Sequence, residues 1–252
     1  MKAKFGAGAL GMALLLSGCG GGDSGGNNAA GPVSNAPVQN IAAPAGADWT
    51  ETVEATAEGF RMGNPNAPVK LVEYASITCP HCGEFEEAGG EELRGLVRSG
   101  QVSWEYRPYM IFPTDPAIFM LLRCQGATPF FRLTQQLYHD QESWTGRIRA
   151  VPPAQLEQLQ SLPPAQQQAA IIRATGLDQF FRQRGMPQGR IDSCLADQSQ
   201  LQQLMAVTQR ASTEERVTGT PNFLINGELQ EGVNAPPYWP QLEPLLRSRI
   251  GG

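Results

Sequence analysis

The order of elements in this sequence predicts one α/β core interrupted by a helical insertion. Three observations carry the expectation. An apolar run from Val69 to Ile77 leads into Cys79-Pro80-His81-Cys82, which opens a helix. A block of about a hundred residues with mainly helical spacing begins after a second strand. A strand, a tight turn and a last helix then close the chain, an order that suits one core better than two independent domains.

Each element has its local reason. Val69 to Ile77 holds a single acid, Glu73, inside apolar residues, as a buried strand does. Pro80 to about Arg98 has helical spacing through Phe85, Leu93, Leu96 and Val97, with Gly89-Gly90 as a weak point and an expected kink. Residues 101–112 alternate in part through Val102, Trp104 and Tyr106 and read as a second strand. Residues 115–140 read as helix with a break around Gly126 to Pro129. Two Pro-Pro-Ala-Gln starts follow, at Pro152 and Pro163, where proline suits a first helical turn. Residues 177–186 and 190–213 continue as helix. Pro221 to Ile225 is a strand, Asn226-Gly227 a hairpin turn, Leu229 to Val233 a return strand, and Pro237 to Ile250 a terminal helix.

In front of this core, Lys2 and Lys4 precede an apolar stretch from Phe5 to Leu16 and then Leu16-Ser17-Gly18-Cys19. Positive start, short apolar run and small residues make residues 1–18 an export signal, too short to span a bilayer comfortably. The tetrapeptide resembles the bacterial lipobox, which implies lipidation of Cys19. An ordinary secretory peptide or an uncleaved anchor are the alternatives. Residues 20–47 are rich in Gly, Ala, Asn and Pro without apolar periodicity. Residues 19–47 are thus expected as lipidated cysteine plus flexible linker, with a coil end-to-end distance of roughly 30 Å. The expected setting is a bacterial cell envelope, with the folded part lipid-tethered in the periplasm. Net charge is −5 and becomes −7 without residues 1–18, so the electrostatics give no support to a nucleic-acid partner.

An exported protein meets an oxidising compartment, where cysteines are first read as disulfides. With Cys19 set aside, Cys79, Cys82, Cys124 and Cys194 remain, an even number. Cys-Pro-His-Cys has three readings. Zinc needs four ligands, and outside the motif there is only His139, with Cys124 and Cys194 standing alone. A structural cross-link over two intervening residues constrains the unfolded chain little. The redox reading has a mechanical basis: at a strand end and helix start, unpaired N–H groups and the helix dipole favour a Cys79 thiolate. Pro80 fits the first turn, His81 can add a donor or positive charge, and Cys82 can resolve a mixed disulfide at Cys79. Cys124 and Cys194, seventy residues apart in the helical block, are either a disulfide or two buried free thiols. His139 reads as a helix-end residue, and Arg147, Arg149, Arg182 and Arg184 as solvated faces.

Val72-Glu73-Tyr74-Ala75-Ser76-Ile77-Thr78-Cys79-Pro80-His81-Cys82, a helical insertion, and then Val217-Thr218-Gly219-Thr220-Pro221-Asn222-Phe223-Leu224-Ile225-Asn226-Gly227 resemble the DsbA-like branch of the thioredoxin superfamily over about residues 58–250. The resemblance implies a thioredoxin fold in two parts, 48–113 and 214–252, around an inserted helical domain, 114–213. It implies that Cys79 is the exposed nucleophile and Cys82 the resolving thiol. It also implies that Pro221 is cis beside them, baring the Thr220 backbone for an extended substrate. Glu73 matches a buried acid of this family and could relay the Cys82 proton; its alternative is an edge-strand carboxylate facing solvent. The Pro80-His81 pair resembles that of the family's strong oxidants, whereas Thr220 is also found in isomerase-like relatives.

The expected function is therefore thiol:disulfide oxidoreductase, donating the Cys79–Cys82 disulfide to exported proteins and recycled by a membrane redox partner. It needs no cofactor and no metal. A monomer is expected, because the Gly-rich tether leaves no dimerisation domain. An isomerase or reductase kept reduced by a membrane donor, and a Cu(I)-thiolate chaperone, are the alternatives.

Overall fold

The structure, a computed structural model, describes residues 39–250. The expectations for the export signal, Cys19 and most of the linker lie outside the described residues. Six strands form one sheet in the order β1-β2-β4-β3-β5-β6. They are β1 (Val53–Ala55), β2 (Phe60–Gly63), β3 (Val69–Ala75), β4 (Val102–Pro108), β5 (Asn222–Ile225) and β6 (Glu228–Leu229). β3 and β4 run parallel, joined by the crossover helix α1 (Pro80–Arg98); the other pairs are antiparallel.

β3 is central, and all of it except Lys70 is buried. Its alternate side chains serve two cores. Val69, Leu71 and Ala75 join the larger cluster with Phe85, Leu93 and Val97 of α1. Val72 and Tyr74 join a smaller one with Leu224 and with Val207 and Ala211 of α9 (Gln198–Glu214). A strand covered on both faces reads as a near-continuous apolar run, which is why the sequence pattern was legible here. Each large apolar side chain so withdrawn contributes about 1.5–3 kcal/mol.

Between β4 and β5 lie eight helices: α2 (Asp115–Gln125), α3 (Phe130–His139), α4 (Gln141–Arg149), α5 (Pro153–Gln160), α6 (Pro164–Thr175), α7 (Leu177–Gln183), α8 (Gln188–Leu195) and α9. α10 (Trp239–Ile250) closes the chain and packs on α1.

Several sequence expectations change. α1 runs unbroken through Gly89-Gly90. Gly89 is small because Trp239 lies against it; a Cβ there would sit well inside van der Waals contact with the indole. The span 190–213 is two helices, divided at Ala196-Asp197, where the Asp197 carboxylate accepts the amides of Ser199 and Gln200 at 3.0 and 3.1 Å. β6 is two residues long instead of a strand reaching Val233. The hairpin of β1 and β2 and the helix α4 had no counterpart in the sequence reading. At the Asn226-Gly227 turn both residues have positive φ, 52° and 86°, as the expected hairpin needs.

A strap formed by residues 39–52 lies against the far end of α1. Ile41 N–H donates to Ser99 O at 2.7 Å, and Trp49 Nε1 donates to Ile41 O at 2.8 Å. Gln101 Nε2 also reaches Gln39 O. Gly100, with φ 75°, fits this corner because a Cβ would press on Trp49.

Candidate active site

Cys79 is the N-cap of α1, between the end of β3 and Pro80 at the first helical turn. Its surroundings are built by hydrogen bonds from two directions, the first being the helical insertion. Asp115, fully buried at the start of α2, accepts the hydroxyls of Ser76 (2.9 Å) and Thr78 (2.7 Å) and the amides of Ile111 and Phe112 (2.9 Å each). Burial pushes its pKa up from the ordinary aspartate value, against the pull of these donors. Tyr138 of α3 donates to Ser76 O at 3.1 Å. Gln141, first residue of α4, donates its side-chain amide to Ile77 O at 2.7 Å and Cys79 O at 2.9 Å. The helical insertion therefore fixes the loop that carries the cysteine.

The second direction is the loop before β5. The Thr220–Pro221 bond is cis, and Cys79 Sγ donates to Thr220 O at 3.3 Å. Thr220 Oγ1 is buried without a partner. The two groups act oppositely on the sulfur: the carbonyl favours the thiol, the hydroxyl the thiolate. The expectation of an exposed nucleophile needs correction, since Cys79 retains only 4% of its surface, with Thr220 against its sulfur. Cys82 is fully buried, so Cys79 is still the more accessible of the two.

Both cysteines are free thiols, and their surroundings separate them. The Cys82 thiol, the Thr220 side chain and the backbone N–H groups of Cys82 and His81 bring the Cys79 thiol down to about 6, against the cost of burial. Cys82 is pushed up by burial first and by Cys79 second. A nucleophile ionised at neutral pH beside a partner that holds its proton is equipped for thiol–disulfide exchange.

Glu73 is in the central strand with 1% of its surface exposed, which rules out the edge-strand alternative. Trp104 Nε1 donates to its Oε2 at 3.0 Å. Burial, helped by the charge of Glu86, raises Glu73 to about 8, so it carries its proton at neutral pH. The His81 side chain keeps only the charge part of the role expected of it. Its Nδ1 pairs with Glu84 Oε2 at 2.9 Å on the surface, and it is the backbone N–H that favours the Cys79 thiolate. Glu84 raises the His81 value, with a smaller upward pull from Cys79.

Two grooves flank the cysteine. One, of about 370 Å³, is lined by Thr218, Thr220, Pro221, Asn222, Asn234 and Tyr238, among others. The other, of about 760 Å³, runs between α1 and α3–α4 past Pro80, Gly83, Glu87, Gln141 and Glu142. Cys124 and Cys194 lie away from both, joined as a disulfide between α2 and α8 with Cα atoms 6.2 Å apart. His139 ends α3. Arg147 and Arg184 are not simply solvated: Arg147 donates to Thr175 O at 2.7 Å, and Arg184 stacks 3.6 Å from the Phe180 ring centroid. Among the described residues no three His, Cys, Asp or Glu side chains converge as a metal would need.

Sequence reasoning missed Asp115, Trp104, Tyr138 and Gln141. Asp115 carried a faint signal, an acid followed by proline at a helix start. The others carried none, because their partners are 31 to 64 residues away along the chain.

A family model described as thioredoxin matches residues 55–240. The protein-disulfide isomerase from Novosphingobium aromaticivorans, a crystal structure, is 31% identical, with a TM-score of 0.71 over 76% of this chain and 97% of that one. α-DsbA1 of Wolbachia pipientis, 17% identical, shares the fold with a TM-score of 0.58 over 76% of this chain and 90% of its own. A Rickettsia felis protein assigned as a protein-disulfide oxidoreductase is 23% identical over 205 residues, 80% of this chain and 65% of that protein. The chain thus spans a little under two thirds of that relative's length. The strand–cysteine–helix unit, the cis-proline loop opposite it and these matches converge: the chain belongs to the thioredoxin family, with a helical domain inserted in the fold.

Proposed function

We propose that the protein is a thiol oxidase, passing the Cys79–Cys82 disulfide to exported proteins and regaining it from a membrane redox partner. One observation carries the direction: the Cys79 thiol is held down to about 6. A thiolate stabilised in the reduced form makes the corresponding disulfide a stronger oxidant.

In the first step a client thiolate attacks Cys79 Sγ. The Cys79–Cys82 bond breaks, and its electron pair leaves on Cys82, which takes a proton from Glu73. A second client thiolate then attacks the client sulfur of the mixed disulfide and expels Cys79 as a thiolate. The client loses two electrons, and the protein gains them as a dithiol. The Thr220 backbone pairs with the extended client segment during both steps. Lipid at Cys19 tethers the domain, as a monomer, to a bacterial membrane with its folded part in the periplasm. No cofactor enters the cycle.

Cys82→Ser tests the reading. The variant is expected to accumulate mixed disulfides between Cys79 and exported proteins, seen as adducts on non-reducing gels that dithiothreitol removes. Absence of adducts, together with a wild type inert toward reduced peptides, removes the proposal. A second reading, isomerase, is favoured by the isomerase name of the Novosphingobium relative and by Thr220. A potential well above about −200 mV with release of reduced protein supports the oxidase. Isolation in the reduced state, with activity on scrambled disulfides, supports the isomerase.

A further inference from the structure

Gln141 belongs to the helical insertion, yet its side chain is bonded only to the segment that ends in the nucleophile. The amide nitrogen donates to Ile77 O at 2.7 Å and to Cys79 O at 2.9 Å. Both partners are acceptors, so Nε2 must face them and Oε1 must face away. Oε1 falls against α1 at Gly83, where a Cβ would lie 3.0 Å from it. Gly83 N–H in turn donates to Cys79 O at 3.3 Å, the first bond of the helix.

We propose that Gln141 is a positioning residue for Cys79: it clamps the carbonyls on either side of Thr78, and thereby keeps the N–H groups at the start of α1 trained on the Cys79 sulfur. The Cys79 peptide carbonyl is the hinge between β3's loop and α1. Held by an amide from the insertion and by the helix itself, it cannot rotate, and the N–H groups of His81 and Cys82 stay aimed at the sulfur. The donor hydrogens also bring the positive end of a dipole beside the site, which favours an anion there. Ser76 and Thr78 are tied separately, by Tyr138 and Asp115, so the loop keeps its fold when the clamp alone is released. The inference rests on Cys79 being the attacking sulfur.

Gln141→Met keeps the length of the side chain and removes both donors. Gly83→Ala attacks the same clamp from the other side by pressing on Oε1. The titratable groups around the sulfur, Cys82, His81, Glu73 and Tyr238, are unchanged in both. The measurements are the titration of the Cys79 thiolate by its ultraviolet absorbance, the equilibrium with glutathione, and thermal melting. Both variants are expected to titrate about half a unit or more higher than wild type, and to hold their disulfide about threefold more firmly against glutathione. Alanine favours helix over glycine, so a raised titration midpoint in Gly83→Ala is not the mark of a loosened helix.

A wild-type titration and glutathione equilibrium in a folded Gln141→Met would overturn the proposal, whether or not its melting temperature falls. If that variant does not fold, Gly83→Ala decides by the same outcomes. A wild type unable to oxidise a reduced peptide ends the oxidase reading instead; the difference in titration between wild type and variants still reads the clamp.

Discussion

The two cysteine pairs occupy regions of opposite character. Cys79 and Cys82 lie three residues apart where a strand becomes a helix, as free thiols among hydrogen-bond donors. Cys124 and Cys194 lie seventy residues apart on two helices of the insertion and are bonded to each other. Burial does not separate the pairs, for Cys82 is more covered than Cys194. What separates them is whether the structure offers an anion anywhere to rest. At Cys79 it does, through the N-terminus of α1 and the Thr220 hydroxyl; at Cys124 and Cys194 the disulfide closes a long loop, and its contribution is to stability.

The largest test of this contrast is loss of exchange. Cys79→Ser should lower the rate of thiol exchange by at least about a thousandfold, since the thiolate is the nucleophile. Cys124→Ala with Cys194→Ala should leave that rate within a few-fold of wild type. Stopped-flow reaction with a reduced fluorescent peptide measures both, and a double alanine variant as inert as Cys79→Ser erases the distinction.

Next in size is the cost to stability. The Cys124–Cys194 pair closes a loop for which about 2–4 kcal/mol is expected, read as a shift in urea midpoint between wild type and the double alanine variant. Cys79→Ser should shift it far less.

Glu73 sharpens the contrast from below the active cysteines. Its folded value of about 8 lies above the unfolded one, so the chain is best served below about pH 4.5 and loses stability as pH rises through 8. Glu73→Gln keeps an acceptor for Trp104 and removes the charge. It should melt with wild type at pH 4 and be more stable by about 2 kcal/mol at pH 8. Equal melting at both pH values would mean that the carboxyl is not raised.

The smallest effect is the pH dependence of the reduced form. A folded Cys79 value of about 6 lies below the unfolded thiol, so its stabilisation is complete above about pH 9 and disappears as pH falls through 6. At pH 7 it amounts to roughly 1–2 kcal/mol. The reduced protein should therefore lose stability relative to the oxidised one between pH 7 and pH 5. Alkylation of reduced protein by iodoacetamide should rise through pH 6 and level off near 7.

What the sequence disclosed and what it withheld follow from distance along the chain. Cys79, Pro80 and Cys82 announce themselves within four residues, and Glu73 stands out as the one acid in an apolar strand. Asn226-Gly227 encodes its turn in two residues because both need positive φ. The β1–β2 hairpin was invisible because β1 is an edge strand of three residues, none of them buried. The break between α8 and α9 had a readable signal in Asp197, two residues before Ser199, that the apolar spacing concealed. Gln141 could not be found at all: glutamine is common on solvated helices, and its partners lie 62 and 64 residues back. His81 and Glu84 stand three residues apart, the spacing at which side chains of a helix meet, so their pairing did have a local signal.

The strap at residues 39–52 has a mechanical consequence. It is fastened to Ser99 and Gln101, at the C-terminal end of α1, while Cys79 caps the N-terminal end. A helix of nineteen residues spans about 28 Å. The strap therefore grips α1 at the end opposite the reactive sulfur, and a pull on residues 39–52 loads the foot of the helix first. The two grooves beside Cys79 lie at the other end of that helix, so a load taken up by the strap reaches them last.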